Sequence, residues 1–221
     1  MRDSIPKIII LIGPPGSGKG TQAKLLVEKL GLEYFGSGEA LRKRQKVDDF
    51  TGKKITEAIN RGDWLSPFVI SKIWTDKFEQ FKQKRKFKGF VSDGSPRTML
   101  EAKFFDEALS WYEWQEKAKF IFINISRKES VNRLIKRRQC KQCGRIIPWV
   151  GELKKLRVCD ECGGSLIMRT DDHSKVIKKR LKEFKNKTMP VIKHYKKKNK
   201  LIEINGEQSI EDVFKDILKV L

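Results

Sequence analysis

The segment from Lys7 to Leu30 restricts the folds that this chain can adopt more than any other part of the sequence. It begins with an apolar run of strand length, Lys7 to Ile12, and ends with an amphipathic helical pattern that reaches about Leu30. Between the two lies the segment Gly-Pro-Pro-Gly-Ser-Gly-Lys-Gly-Thr, which starts at Gly13. This segment follows the pattern G-x-x-x-x-G-K-[ST] except in its last slot, where Gly20 stands one position before Thr21. A strand, a glycine-rich loop and a helix in this order predict a phosphate-binding loop.

The chemistry of this loop predicts a nucleoside triphosphate site. Glycines let successive backbone N–H groups turn toward phosphate oxygens, and the N-terminus of the following helix adds partial positive charge. Lys19 supplies a full positive charge on a flexible side chain. We therefore expect the triphosphate to contact Gly16, Ser17, Gly18, Lys19, Gly20 and Thr21.

Strand-like and helical segments alternate along the rest of the chain. Further strands are predicted at Leu32–Phe35, Phe87–Ser92, Lys119–Ile125 and Leu201–Ile204. Helices are predicted at about Met99–Trp111, Glu129–Gln139, Asp172–Lys197 and Ser209–Val220. This alternation predicts an α/β fold with a five-stranded parallel sheet, of the three-layer type found in P-loop nucleoside triphosphate hydrolases. Two insertions interrupt the pattern, a helical one after the second strand and one with cysteines after the fourth.

The four cysteines form two pairs, Cys140 with Cys143 and Cys159 with Cys162. Two C-x2-C knuckles separated by fifteen residues can present four thiolates to one tetrahedral ion, and this spacing predicts structural zinc. Protein fills all four positions, so the metal is not expected to be catalytic. Two disulfides or a redox-active pair are the alternatives. The lack of a recognisable secretory leader disfavours the disulfides, and the duplicated pair disfavours the redox role.

The charge balance raises the question of a nucleic-acid partner. The 49 Lys and Arg against 28 Asp and Glu give a formal net charge of +21. A nucleic-acid-binding zinc ribbon with an accessory ATP site predicts a strongly basic cysteine module. The residues from Cys140 to Cys162 include five basic and three acidic side chains, and zinc with four thiolates brings the module near neutrality. Nearly half of the excess lies instead between Arg169 and Lys200, so we expect no nucleic-acid partner.

Membrane association and secretion are not expected either. The longest uninterrupted apolar run, Ile8 to Ile12, is too short to span a bilayer. No charged and then apolar leader with a small-residue cleavage site precedes it. These two features predict a cytoplasmic protein.

Four segments give the chain a resemblance to the nucleoside monophosphate kinases, and specifically to the long-form, zinc-containing adenylate kinases. They are Gly13–Gln22, Ser37–Arg42, Asp93–Thr98 and the arginines that flank the cysteines. The resemblance covers essentially the whole chain. It implies a monomeric enzyme that transfers the terminal phosphoryl group of ATP reversibly to AMP, giving two ADP, with Mg²⁺ as cofactor and structural Zn²⁺.

The resemblance also divides the chain into three parts. Residues 1–35, 66–135 and 173–221 correspond to the core, residues 36–65 to an insert that binds the monophosphate, and residues 136–172 to a lid with the zinc site. Closure of both inserts would expel water, so that the phosphoryl group passes to AMP and not to water.

The resemblance implies a set of site residues. The catalytic residues are Lys19, Asp93, Arg97, Arg137, Arg169 and Arg180. Besides the phosphate loop, ATP is expected to contact Arg133, Arg137, Ile146, Ile147 and Gln208. AMP is expected to contact Ser37, Arg42, Asp63, Trp64, Leu65, Gly94, Ser95, Pro96, Arg97, Glu101, Arg169 and Arg180. Asp93 is expected to hold Mg²⁺ through water, and Asp171 and Asp172 to orient the arginines.

Arginine suits the task assigned to it, because its planar group grips two phosphate oxygens at once. Arg133 and Arg137 lie four residues apart, which predicts that they share one face of the helix that enters the cysteine module. Arg169 and Arg180 lie eleven residues apart, the length of three helical turns, on the side that leaves it.

Three residues depart from the family pattern. Ser95 stands where phenylalanine is usual, and Phe68 where an acidic residue is usual. Glu101 occupies the place of a glutamine whose amide pairs with the edge of adenine. An ionised glutamate only accepts hydrogen bonds, which suits the two N–H donors of guanine and suggests GMP or a broad range of acceptors as the alternative. The reading that we favour leaves adenine specificity to backbone contacts and turns Glu101 toward solvent.

Overall fold

The computed structural model describes residues 7–169 and 172–221. Its strands are β1 (Lys7–Ile12), β2 (Glu33–Gly36), β3 (Gly89–Asp93), β4 (Ala118–Asn124), β5 (Arg138–Cys140), β6 (Ile146–Ile147), β7 (Leu166–Ile167) and β8 (Leu201–Asn205). Five of them form one sheet in the order β2-β3-β1-β4-β8, and every neighbouring pair in it is parallel. The predicted α/β fold with a five-stranded parallel sheet is confirmed.

The helices connect these strands and cover both faces of the sheet. They are α1 (Lys19–Leu30), α2 (Ser37–Arg44), α3 (Phe50–Arg61), α4 (Pro67–Lys82), α5 (Met99–Trp111), α6 (Arg127–Lys136), α7 (Ser174–Glu183), α8 (Met189–Lys197) and α9 (Ile210–Lys219). No helix in the described part of the chain has the length and apolar composition needed to cross a membrane.

The core consists of two apolar layers, one on each face of the sheet. On one face Phe78 of α4 lies at its centre, with ring centroids 4.7 Å from Phe90, 5.2 Å from Trp74 and 5.4 Å from Phe105. On the other face α1 and α9 pack over the sheet, with Leu26 fully buried. The strands are apolar on both faces because helices exclude water from both.

Two helices differ from their predicted bounds. The helix predicted to reach Gln139 ends at Lys136, because residues 138–140 leave it to form β5, which pairs antiparallel with β6 and β7. The helix predicted from Asp172 begins at Ser174 and contains a π-helical turn at Phe184–Thr188 between α7 and α8. The local apolar pattern encodes neither the pairing of β5 nor the π-helical turn.

The carboxyl ends of the central strands meet at one edge of the sheet. The phosphate loop follows β1, α2 follows β2, and Asp93 ends β3. Because neighbouring strands are parallel, these segments lie side by side, and this edge is where α/β sheets form their binding crevices.

Candidate active site

The phosphate-binding loop makes its tight turn because glycine occupies the critical positions. Gly16 and Gly18 have φ values of +83° and +91°, which L side chains rarely adopt. At Gly13 the constraint is space, because a Cβ there would lie 2.4 Å from a backbone carbonyl oxygen of β4. The Nζ of Lys19 donates to the carbonyl oxygens of Gly13 and Pro14 at 2.8 and 2.9 Å. The loop therefore holds its lysine against its own backbone.

The glycine that replaces the usual hydroxyl residue has a spatial explanation. A Cβ at Gly20 would lie 3.1 Å from Oδ2 of Asp93, so a serine or threonine there would crowd the carboxylate. Burial raises the pKa of Asp93, although Lys19 opposes this shift. Burial likewise lowers the pKa of Lys19 to about 8, against the attraction of Asp93. Charges in such a poorly solvated site act strongly on a bound phosphate.

Arg97 is held in place on the loop between β3 and α5. Its Nε donates to the carbonyl oxygen of Gly94 at 2.6 Å, and its Nη2 donates to the hydroxyl of Ser37 at 2.9 Å. The guanidinium carbon lies 5.6 Å from the ring centroid of Trp64, within the range of a cation–π contact. Arg42 extends from α2 toward the same region. Arg42 and Arg97 thus line the same cavity.

Asp172, which precedes α7, bonds to two further arginines. Its fully buried carboxylate accepts bonds from Nε and Nη2 of Arg137 at 2.7 and 2.5 Å, and from Nη1 of Arg180 at 3.4 Å. The expectation that Asp172 contacts these arginines agrees with this geometry, whereas Asp171 lies outside the described residues. A buried carboxylate with two arginine partners fixes the direction of both guanidinium groups.

The helical spacing inferred for the flanking arginines is wrong. Arg137 follows the end of α6 with an extended backbone, so it does not share a helical face with Arg133. Arg169 precedes α7, so no three-turn helix separates it from Arg180. Arg133 does lie in α6, where its Nε donates to Oε1 of Glu129 at 2.6 Å.

One cavity of about 850 Å³ brings the predicted groups together, a volume within the range of small-molecule sites. Of the residues expected to contact ATP, the following line it: Gly16, Ser17, Gly18, Lys19, Gly20, Thr21, Arg133, Arg137, Ile146 and Gln208. Of the residues expected to contact AMP, the following line it: Arg42, Trp64, Gly94, Pro96, Arg97, Arg169 and Arg180. Asp93 lines it as well. The remaining predicted contacts, Ser37, Asp63, Leu65, Ser95, Glu101 and Ile147, lie outside its lining.

Glu101 does not turn toward solvent, and that part of the sequence interpretation is wrong. Its side chain is 2% exposed, and its Oε2 accepts the backbone N–H of Arg97 at 2.8 Å. Oε1 of Glu101 and the hydroxyl of Ser95 are both buried as well. Burial raises the pKa of Glu101. The carboxyl group packs beneath the Arg97 loop because α5 turns it inward.

The four cysteines converge as the spacing predicts. Their Sγ atoms all lie within 4.8 Å of one another, with Cys140 to Cys162 at 3.5 Å and Cys143 to Cys159 at 3.6 Å. All four thiols are free. A tetrahedron of sulfurs around zinc has edges of about 3.8 Å, whereas a disulfide needs about 2.0 Å. The four sulfur atoms are therefore placed to bind a thiophilic metal ion.

Several cavity residues carry no recognisable sequence signal. Tyr34 lies in β2 beside Asp93, and burial together with that carboxylate raises the pKa of its hydroxyl. Phe184 and Thr188 reach the cavity from the π-helical turn. Trp149 enters from the cysteine module, where Lys136 lies 5.6 Å from its ring centroid. The positions of these side chains depend on tertiary contacts, which no short motif encodes.

The phosphate loop follows β1, the central strand of the parallel sheet, and it lines one cavity together with arginines from other segments. This arrangement is typical of nucleotide phosphotransferases of the nucleoside monophosphate kinase class. Such a site neutralises the phosphates of two nucleotides at once.

Comparison with known proteins identifies the family. The adenylate kinase family model matches residues 11–200. The adenylate kinase of Petrotoga mobilis is 34% identical over 214 residues, or 96% of each chain. That of Thermosipho melanesiensis is 35% identical over 96% of this chain and 98% of its own, and that of Archaeoglobus fulgidus is 34% identical over 96% and 97%. The chain belongs to the adenylate kinase family.

Proposed function

We propose that this chain catalyses reversible, Mg²⁺-dependent transfer of the terminal phosphoryl group of ATP to AMP, giving two ADP. The cavity carries the proposal, since the phosphate loop with Lys19 lines it together with Arg97, Arg137 and Arg180. Phosphoryl transfer depends mainly on positioning and on neutralisation of several phosphates, and these groups supply both. The curated relatives bear the name adenylate kinase, which favours AMP over GMP or a broad acceptor range and over a nucleic-acid-binding ATPase.

The two sides of the cavity have distinct roles in this proposal. The loop Gly16–Thr21 and Arg133 hold the phosphates of ATP, while Ile146 and Gln208 lie where its base and sugar bind. Arg42 and Arg97 hold the phosphate of AMP, with Trp64 and the backbone near Leu65 beside its base. Arg137, Arg169 and Arg180 neutralise the group in transit between them. The contacts of Asp172 and Ser37 support this assignment, because they fix three of the guanidinium groups before substrate binds.

The two inserts act as covers over the cavity in this mechanism. Trp64 from the insert 36–65 and Ile146 from the segment 136–172 line the same cavity, which supports a joint role in enclosing the nucleotides. Enclosure excludes water, so the bound AMP and not water receives the phosphoryl group.

Two metal ions complete the proposal. When bound, Mg²⁺ would supply positive charge to the phosphate oxygens, and Asp93 at the end of β3 would hold it through water. Zn²⁺ bound by Cys140, Cys143, Cys159 and Cys162 maintains the shape of the module, and the sulfur distances support it. Its four thiolates leave no coordination site for a substrate, so the zinc is structural.

We further propose a cytoplasmic monomer without a nucleic-acid or membrane partner. One chain supplies every arginine and the phosphate loop of the cavity, which supports activity as a monomer. The four free thiols suit a reducing compartment.

The decisive measurement is the rate of ADP formation from ATP with AMP, GMP, CMP or UMP, together with ATP hydrolysis in the absence of an acceptor. We expect rapid transfer to AMP, weak transfer to the other monophosphates and very little hydrolysis. A Lys19→Met variant, which removes the charge of the loop, serves as the matched inactive protein. Hydrolysis without transfer, or equal rates with GMP and AMP, would contradict the proposal.

A further inference from the structure

The long helix behind the cavity contains a turn of a different kind. Residues Ser174–Glu183 are α-helical, Phe184–Thr188 are π-helical, and Met189–Lys197 are α-helical again, without a break in the helical backbone. The backbone N–H of Met189 bonds to the carbonyl of Phe184, five residues earlier. Single π turns of this kind are frequent at functional sites.

The π turn changes which side chains share a face. In a regular α-helix every fourth residue advances by about 40°, so Thr188 would be displaced about 80° around the axis from Arg180. A π turn contains more residues than an α turn, so four residues cover less than a full rotation about the helix axis. Thr188 therefore lies closer to the helix face that carries Arg180. Consistent with this, Arg180, Phe184 and Thr188 all line the same cavity.

Thr188 uses this orientation to contact the loop between β3 and α5. Its side chain is 3% exposed, and its hydroxyl donates to the backbone carbonyl of Arg97 at 3.0 Å. The backbone N–H of Arg97 is bonded to Glu101 at 2.8 Å. Both backbone polar groups of Arg97 are therefore fixed from different elements, while Gly94 and Ser37 fix its side chain.

We propose that Thr188 is a positioning residue for Arg97, and that the π turn exists to place its hydroxyl there. The bond ties the loop that carries Arg97 to the helix that carries Arg180, and so fixes the separation between the two guanidinium groups. This inference rests on the proposed function, in which these two arginines bind the acceptor phosphate and the group in transit. An error of about 1 Å in such a separation is enough to slow transfer by about a hundredfold.

The test compares Thr188→Val, which keeps the branched shape and loses the hydroxyl, with Thr188→Ser, which keeps the hydroxyl. For Thr188→Val we expect kcat/KM for AMP to fall about tenfold or more, with KM for ATP unchanged. Thr188→Ser should recover most of the loss. Thr75→Val is the matched control, because the hydroxyl of Thr75 donates to the carbonyl of Ser71 within α4, on the exposed surface. It should leave all kinetic constants unchanged.

Thermal unfolding of each variant separates positioning from stability. A purely structural role lowers the midpoint of Thr188→Val while the kinetic constants of the folded enzyme stay the same, and that result would overturn the inference. Equal losses in Thr188→Val and Thr188→Ser would overturn it too, since the hydroxyl would then be irrelevant. A wild-type enzyme that fails to transfer phosphate to AMP would refute the proposed function instead, so the two failures are distinct.

Discussion

Glu101 places an ionisable group where almost no water reaches it. Its pKa is raised by burial, so the folded protein keeps this proton at a higher pH than the unfolded chain does. The stability associated with the protonated carboxyl is present below the ordinary glutamate pKa and is lost as the pH rises through the raised value. At neutral pH the ionised group is costly, because burial keeps water away from its charge.

The substitution Glu101→Gln removes this cost, because an amide stays neutral at every pH. We expect the free energy of unfolding to increase by about 1–3 kcal/mol at pH 8 and to change little near pH 4.5. Urea unfolding at the two pH values measures the difference. Glu107→Gln, an exposed position on the same helix, should show no such pH dependence. Parallel stability curves for Glu101→Gln and the wild type would exclude the argument.

Elements whose signals are local could be predicted from the sequence, whereas those decided by distant contacts could not. Helix α5 begins at its predicted residue because Thr98 caps it, accepting the N–H of Glu101, and the phosphate loop is encoded within its own motif. By contrast, the chain after α6 pairs with β6, and the π turn bonds to the Arg97 loop through Thr188, and the local apolar pattern encodes neither contact. The arginines that the sequence singled out line one cavity, whereas the helical placement predicted for them was wrong.

The cysteine module buries too little surface to hold its shape without the zinc ion that we propose for it. Of its residues 138–167, only Cys140, Ile147 and Cys159 are buried, too little apolar surface to order thirty residues. Zinc removal by a chelator should therefore unfold β5, β6 and β7 and leave the five-stranded sheet intact. We expect new protease cleavage within residues 138–167 and loss of transfer, both reversed by added zinc. A metal-free protein that resists protease as the loaded one does would contradict this.

At the scale of the whole molecule, the helical insert is in direct contact with the long helix. Asp63, just after α3, forms an ion pair with Lys179 of α7, and a Cβ at Gly62 would lie 2.8 Å from Cγ1 of Val176. Lys179 holds the pKa of Asp63 below its usual value, so the pair is lost only as the pH falls through that lowered pKa. This contact joins the segment that we assign to AMP to the helix that carries Arg180.

Lys179→Gln should therefore weaken AMP binding without slowing the transfer step. Both partners are more than a third exposed, and exposed pairs contribute about 0–1 kcal/mol, so we expect KM for AMP to rise by at most about fivefold with kcat unchanged. Because salt screens exposed charges, the difference from the wild type should shrink at about 1 M salt. The matched control is Lys178→Gln, since Lys178 is the exposed neighbour on the same helix. A larger effect on kcat than on KM, or an equal effect of both variants, would show that the ion pair does not hold the insert against the helix.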